Sequence, residues 1–162
     1  MTGRLDAINL SRGGVPKQSV FEAFVTVNGV DGDRQRDTRV HGGPDRAVVL
    51  YALEVIQALQ REGHPIVVGA TGENLTIAGV DWMRVTPGMA LAIGGARLQI
   101  VKYVAPCTTI AHCFLEDRFQ RIEHARHPGW SRVAARVLVE GLVRVGDSVL
   151  FQPPAPSPQP LG

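Results

Sequence analysis

Apolar and polar positions alternate over residues 4–10 and again over 20–27, the period of a strand with one buried face. The Ser11-Arg12-Gly13-Gly14-Val15-Pro16 segment between them has turn chemistry, so the start predicts strand, loop and strand. Residues 28–45 are rich in Gly, Asp and Arg with little to bury, which predicts a long surface loop. Residues 47–51 form a short β-branched run. Over 52–62 the spacing turns helical, with Leu53, Ile56 and Leu59 on one face, and Gly63 and Pro65 end it.

The rest of the chain predicts short strands at 66–68, 74–77, 83–86, 89–93 and 97–103, with Pro87-Gly88 and Gly94-Gly95 as turns. Residues 108–126 predict one or two short helices, and 131–139, 142–145 and 148–151 return to strands. Many short strands at regular spacing with one convincing helix predict a mainly β fold, a closed or nearly closed antiparallel barrel. The segments PGMALAIGG from Pro87 and EGLVRVGDS from Glu140 resemble each other: a turn glycine, an apolar run and a second turn.

Composition narrows the setting. A chain of 162 residues predicts one domain, here 1–152, able to bury about 68–70% of its unfolded surface without disulfides. Residues 153–162 contain Pro153, Pro154, Pro156, Pro158 and Pro160 and predict an extended or disordered tail. The net charge of +2 comes from 17 basic and 15 acidic side chains, only Lys17 and Lys102 being lysines, and this gives nucleic-acid binding no support. No apolar leader or membrane-length run is seen, so a cytoplasmic protein without membrane contact is expected. In that setting Cys107 and Cys113 are expected to be reduced thiols.

Candidate chemistry gathers at three places. Cys107 follows Ala105-Pro106 at the end of an apolar strand, a rim position that suits a thiolate ligand or nucleophile, although a lone cysteine also serves as a small core hydrophobe. Cys113, among Ile110, Phe114 and Leu115, reads as core. The His41-Gly42-Gly43-Pro44-Asp45-Arg46 segment combines glycines that let a ligand approach the backbone with flanking imidazole and guanidinium groups, or is simply a tight loop. Gly72-Glu73-Asn74-Leu75-Thr76 places an acid and an amide at a strand mouth, to bond a heterocycle or to tie down the arginine-rich loop. Structural zinc is disfavoured, because Cys107, His112 and Cys113 lack ligand-pair spacing.

Taken together, these pieces resemble the MOSC domain, found at the C-terminus of molybdenum cofactor sulfurases and as small bacterial proteins. The resemblance runs from about residue 11 to 149. Its motifs, in order, are GV-x-GDRQRD (29–37), HGGPDRAVVLY (41–51), GENLT (72–76), the G-x-x-L-x-I-G hairpin (88–94), Pro106-Cys107 and SR-x-x-ARVL-x-x-G-x-V-x-x-GD (131–147). It implies a β-barrel of mixed strands, similar in shape to the small barrel of pyruvate kinase, and a pocket for molybdenum cofactor. Cys107 then either coordinates the metal or carries sulfur as a persulfide, both of which need a thiolate. The resemblance further implies that Gly42, Gly43, Glu73 and Asn74 line the pocket, that Arg12, Lys17, Arg46 and Arg132 grip the anionic cofactor, and that His41 binds it or supplies a proton.

Some family members reduce N-hydroxylated bases and amidoximes with electrons from flavin and iron–sulfur partners. With two cysteines this chain has no four-cysteine Fe–S site of its own, so electrons would come from a separate reductase. A pyridoxal-phosphate domain does not fit in this length, and none is expected. Two functions therefore stand: a molybdenum-dependent reductase of a small N-hydroxylated substrate, and a non-catalytic sulfur carrier loaded by a donor such as a cysteine desulfurase.

Overall fold

The computed structural model describes residues 1–11, 15–33, 43–156 and 158–161. The described residues form eleven strands in chain order: β1 (Thr2–Leu10), β2 (Gln18–Val20), β3 (Glu22–Thr26), β4 (Gly29–Val30), β5 (Val48–Ala52), β6 (Leu75–Ala78), β7 (Ala90–Ile93), β8 (Ala96–Tyr103), β9 (Val133–Val139), β10 (Gly141–Arg144) and β11 (Ser148–Gln152). Among the described residues there is one α-helix, α1 (Leu53–Arg61), which buries Val55, Ile56 and Leu59 as its spacing predicts.

Seven strands close into a barrel in the order β1-β11-β7-β8-β9-β5-β6, and β6 returns to β1. Closure relies on β1 serving two edges. Arg4 is registered with Ala78 of β6 on one side and Ser148 of β11 on the other, while Ile8 to Leu10 carry β2. Alternate residues fill the interior: Leu5, Leu50, Leu75, Ile77, Leu91, Ile93, Leu98, Val133 and Phe151 are all essentially removed from solvent. A second small sheet, β10-β3-β4, lies beside the barrel.

Several expectations are corrected. The barrel is not wholly antiparallel, because β5 and β6 run parallel, joined by α1 as a crossover, and this gives the mixed strands that the family resemblance implies. Residues 20–27 are not one strand but two, with Phe21 the point where the chain leaves β1 and joins β10. Residues 66–68, hemmed in by Pro65 and Gly69, are irregular chain entering a turn rather than strand. In place of a strand at 83–86, Trp82–Arg84 is a 3-10 turn capped by the Asp81 carboxylate, which accepts from the Met83 N–H. The helices expected over 108–126 are three 3-10 turns, Thr108–Cys113, Leu115–Asp117 and Phe119–Ile122.

All five residues of β5 are buried, unlike a strand with one wet face. Val48 and Leu50 point into the barrel, whereas Val49 packs outside it with Val104 and Ala134 in a separate apolar cluster. That outer face carries the candidate site. Residues 153–156 are exposed and form neither strand nor helix. No helix of the described residues is long and apolar enough to cross a membrane.

Candidate functional site

On the outer face, strand alternation places Arg132 and Ala134 of the β9 edge beside Val49 of β5, whose direct partner is Ala134. The β8 chain leaves the barrel at Tyr103, and the Val104 N–H is still held by the Arg132 carbonyl at 2.9 Å. Three residues later Cys107 stands in extended geometry as the cap of the Thr108–Cys113 turn, its carbonyl accepting from the Ile110 N–H at 3.2 Å. Pro106 fixes the approach. Cys107 is half-buried, so its sulfur sits at an edge rather than in the core.

The Cys107 thiol is shifted toward ionisation. Partial burial, the largest single influence, opposes the charge, but hydrogen bonds from the Thr109 hydroxyl and backbone N–H, joined by the charges of Arg132 and Arg46, bring its pKa below the usual thiol value. Arg46 ends the Pro44–Arg46 turn, which Gly43 starts from φ 93, a left-handed backbone that favours glycine. Burial weakens the proton affinity of both Arg46 and Arg132, the charge of Arg132 adding to the effect at Arg46, while Cys107 acts oppositely on each. Guanidinium groups stay charged despite such shifts.

Arg132 is only 5% exposed. Its Nη1 donates to the Thr71 carbonyl at 2.5 Å and its Nη2 reaches the Ala105 carbonyl at 3.5 Å, two residues before the thiol. Its Nε is buried with no hydrogen-bond partner among the described residues. A buried charged donor without an acceptor costs free energy and marks a place where a ligand acceptor is wanted.

The acid and amide of the GENLT segment have other partners. Glu73 is fully buried, with Oε1 accepting from the Gly69 N–H and Oε2 from the Thr71 hydroxyl at 2.5 Å. Burial raises its pKa to about 7, against the opposing pull of Thr71, Arg132 and backbone N–H groups. Asn74 receives the Val49 N–H on Oδ1 at 2.9 Å and donates Nδ2 to Asp33 at 2.9 Å. Asp33 also binds the Ser11 N–H at 2.8 Å and the Lys17 ammonium at 2.5–2.6 Å, both side chains of that ion pair being under a tenth exposed. Of the two alternatives for this segment, tying down the preceding loop is what Asn74 does through Asp33.

Of the residues picked from the sequence, the structure brings Cys107, Arg132 and Arg46 into mutual electrostatic range, with Gly43 opening the turn that carries Arg46. Lys17, Glu73 and Asn74 each bond to neighbouring protein groups in this structure. His41, Gly42 and Arg12 lie outside the described residues. Cys113 is buried, donates to the Ala70 carbonyl at 3.6 Å and has its pKa pushed up to about 11 by burial, as suits a core thiol. Sequence reasoning missed Thr109 and Thr71. The signal for Thr109 is a hydroxyl in the first turn after a capping cysteine, and for Thr71 a hydroxyl two residues before a buried acid. Among the described residues no group of three or more His, Cys, Asp or Glu side chains is placed to hold a metal ion.

The MOSC domain profile matches residues 37–150, which include Arg46, Glu73, Asn74, Cys107 and Arg132. The chain belongs to the MOSC domain family. Within that family it is 31% identical over 138 residues to Protein YiiM of Escherichia coli, a match covering 78% of this chain and 62% of YiiM. It is 32% identical over 118 residues to the uncharacterized protein YflK of Bacillus subtilis, covering 72% of this chain and 52% of YflK. This MOSC chain thus spans only about half to three fifths of those relatives' length. The crystal structure of YiiM from Geobacillus stearothermophilus superposes with a TM-score of 0.74 at 25% identity, over 93% of this chain and 75% of that one.

Proposed function

We propose that this MOSC barrel binds molybdenum cofactor with the Cys107 thiolate as the metal's protein ligand, and serves as a reductase of N-hydroxylated compounds. The observation that carries the reading is the half-buried Cys107 thiol, drawn toward ionisation beside Arg132, whose Nε is buried without an acceptor. Those groups suit a sulfur-rich metal centre on an anionic pterin: a soft thiolate for the metal, and guanidinium donors for phosphate oxygens. When bound, the cofactor supplies oxygen-atom removal and electron transfer.

The chain's own part is binding and orientation. Hydrogen bonds from Thr109 draw the Cys107 thiol toward ionisation, and Arg132 and Arg46 attract anionic groups to the same edge. Lys17 is ion-paired to Asp33. Removing one oxygen as water takes two electrons and two protons. We assign one proton to His41 on the sequence alone, and the electrons to a separate flavin or iron–sulfur protein, because the chain has two cysteines.

The same exposed-edge thiolate supports a second reading, in which Cys107 carries a persulfide from a sulfur donor such as a cysteine desulfurase. Molybdenum and pterin content separates the two, measured on wild type and Cys107→Ser purified anaerobically from a host that makes the cofactor. Near-stoichiometric molybdenum that is lost in the variant, with turnover of an N-hydroxylated substrate from an artificial electron donor, is expected. Metal absent from both proteins together with a Cys107-dependent persulfide mass shift would favour the carrier.

A further inference from the structure

We infer that Glu73 is a positioning residue that never touches the ligand: it shapes the 69–73 loop so that the Thr71 carbonyl holds Arg132 near Cys107 with one guanidinium edge left unbonded. The inference rests on the reading of Arg132 and Cys107 as one site.

Two arginines of the chain are compensated in different ways. Arg121 is used up by a carboxylate, its Nε and Nη2 donating to the two oxygens of Glu62 at 3.0 and 2.6 Å, while its guanidinium lies 3.9 Å over the Trp130 ring. Such a fork neutralises the guanidinium directly, although its Nη1 is likewise buried without a partner among the described residues. Arg132 is more deeply buried and needs a compensating anion more, yet among the described residues no carboxylate lies within ion-pair distance of it.

The buried acid Glu73 is linked to Arg132 only through Thr71. Both Glu73 oxygens are engaged inside the loop, one by the Gly69 N–H and one by the Thr71 hydroxyl at 2.5 Å, and Thr71 in turn presents its carbonyl to Arg132 at 2.5 Å. The acid thus compensates the guanidinium through space without occupying its Nε edge.

The loop has little freedom to rearrange. Gly69 sits at φ 82, where an added Cβ would meet the Lys17 carbonyl at 2.6 Å, and its own carbonyl holds the Lys17 N–H at 3.0 Å. The next residue, Ala70, receives the Cys113 thiol. With these anchors the position of the Thr71 carbonyl depends on the hydroxyl and carboxylate that fold the loop inward.

The test uses a spectroscopic signature of Arg132 that overall stability does not move. In 1H–15N spectra the buried Arg132 Nε–H is expected as a slowly exchanging side-chain signal, assigned by its disappearance in Arg132→Lys. Glu73→Gln keeps an acceptor for Gly69 but removes the charge, and Thr71→Val removes the hydroxyl alone. Each is expected to shift or broaden the Arg132 signal while the backbone amide spectrum stays native, and Thr71→Val to slow alkylation of Cys107 by iodoacetamide at one fixed pH by about threefold, the scale of a modest change in local field. Thr71→Ser, which keeps the hydroxyl, should restore both. An unchanged Arg132 signal in a folded Thr71→Val or Glu73→Gln protein, or an unchanged alkylation rate in Thr71→Val, would overturn the inference. Neither readout involves molybdenum, so failure of the cofactor reading is seen separately, in the metal content of the wild type.

Discussion

Two thiols six positions apart along the chain illustrate how far local surroundings decide chemistry. Cys107 is half-buried and drawn toward ionisation by Thr109, Arg132 and Arg46, whereas Cys113 is 2% exposed and pushed up to about 11. Iodoacetamide at neutral pH should therefore label Cys107 in the native protein and leave Cys113 untouched until the chain is unfolded, a contrast that peptide mass spectrometry reads directly. Labelling of Cys113 first would move the site. Cys107→Ser should cost little stability, below about 1 kcal/mol in urea unfolding, since no tight core packing is removed. From its position alone Cys107 reads as readily as a small core hydrophobe, and it is the family motif that singles it out. Lys17, Glu73 and Asn74 were legible as polar residues in telling places, but a sequence carries no sign of which partner a charge will find. Lys17 found Asp33, and Glu73 found the loop that contains it.

At the level of elements, alternation and turn residues predicted nine of the strands' neighbourhoods by a local signal, and they failed where local signal is shared between conformations. Residues 66–68 are a three-residue apolar run and 83–86 a mixed four-residue stretch, both too short to separate strand from other conformations, and an Asp81 cap settled Trp82–Arg84 as a 3-10 turn. The parallel pairing of β5 with β6 is a long-range fact that only the crossover by α1 and the doubly buried β5 express. The similarity of the segments at Pro87 and Glu140 has a physical counterpart. Their turn and strand pack together, with the Gly95 N–H bonded to the Leu142 carbonyl at 3.0 Å and Gly141 so close that an added Cβ would lie 2.3 Å from the Gly95 backbone. Backbone, unlike a flexible side chain, cannot yield cheaply. Gly141→Ala is therefore expected to destabilise by about 1–3 kcal/mol or more through overpacking, seen as a lower urea midpoint with an unchanged slope.

For the whole molecule, closure of the barrel by β1 and β11 makes unfolding of the buried outer-face loop and of the core a shared event, and the charge buried in that loop then registers in global stability. Glu73 has a folded pKa of about 7 against an ordinary 4.5, with burial as the dominant cause. Between those two values the native state holds a proton that the unfolded chain releases, so its contribution to stability is fully present below about pH 4.5 and is lost as pH rises through about 7. The loss is of order 3 kcal/mol at most, from the size of the shift. Glu73→Gln, which cannot ionise, lacks this dependence. Urea unfolding of both proteins at steps from pH 4.5 to 8 should show the variant gaining on wild type up to about pH 7 and then running parallel to it. Other titrating groups act equally on both chains and cancel in the difference. If the two curves ran parallel across the whole range, Glu73 would have to be ionised at its ordinary pKa inside the fold, and a direct cationic partner would then be required that the loop, with Arg132 held off by Thr71, does not supply.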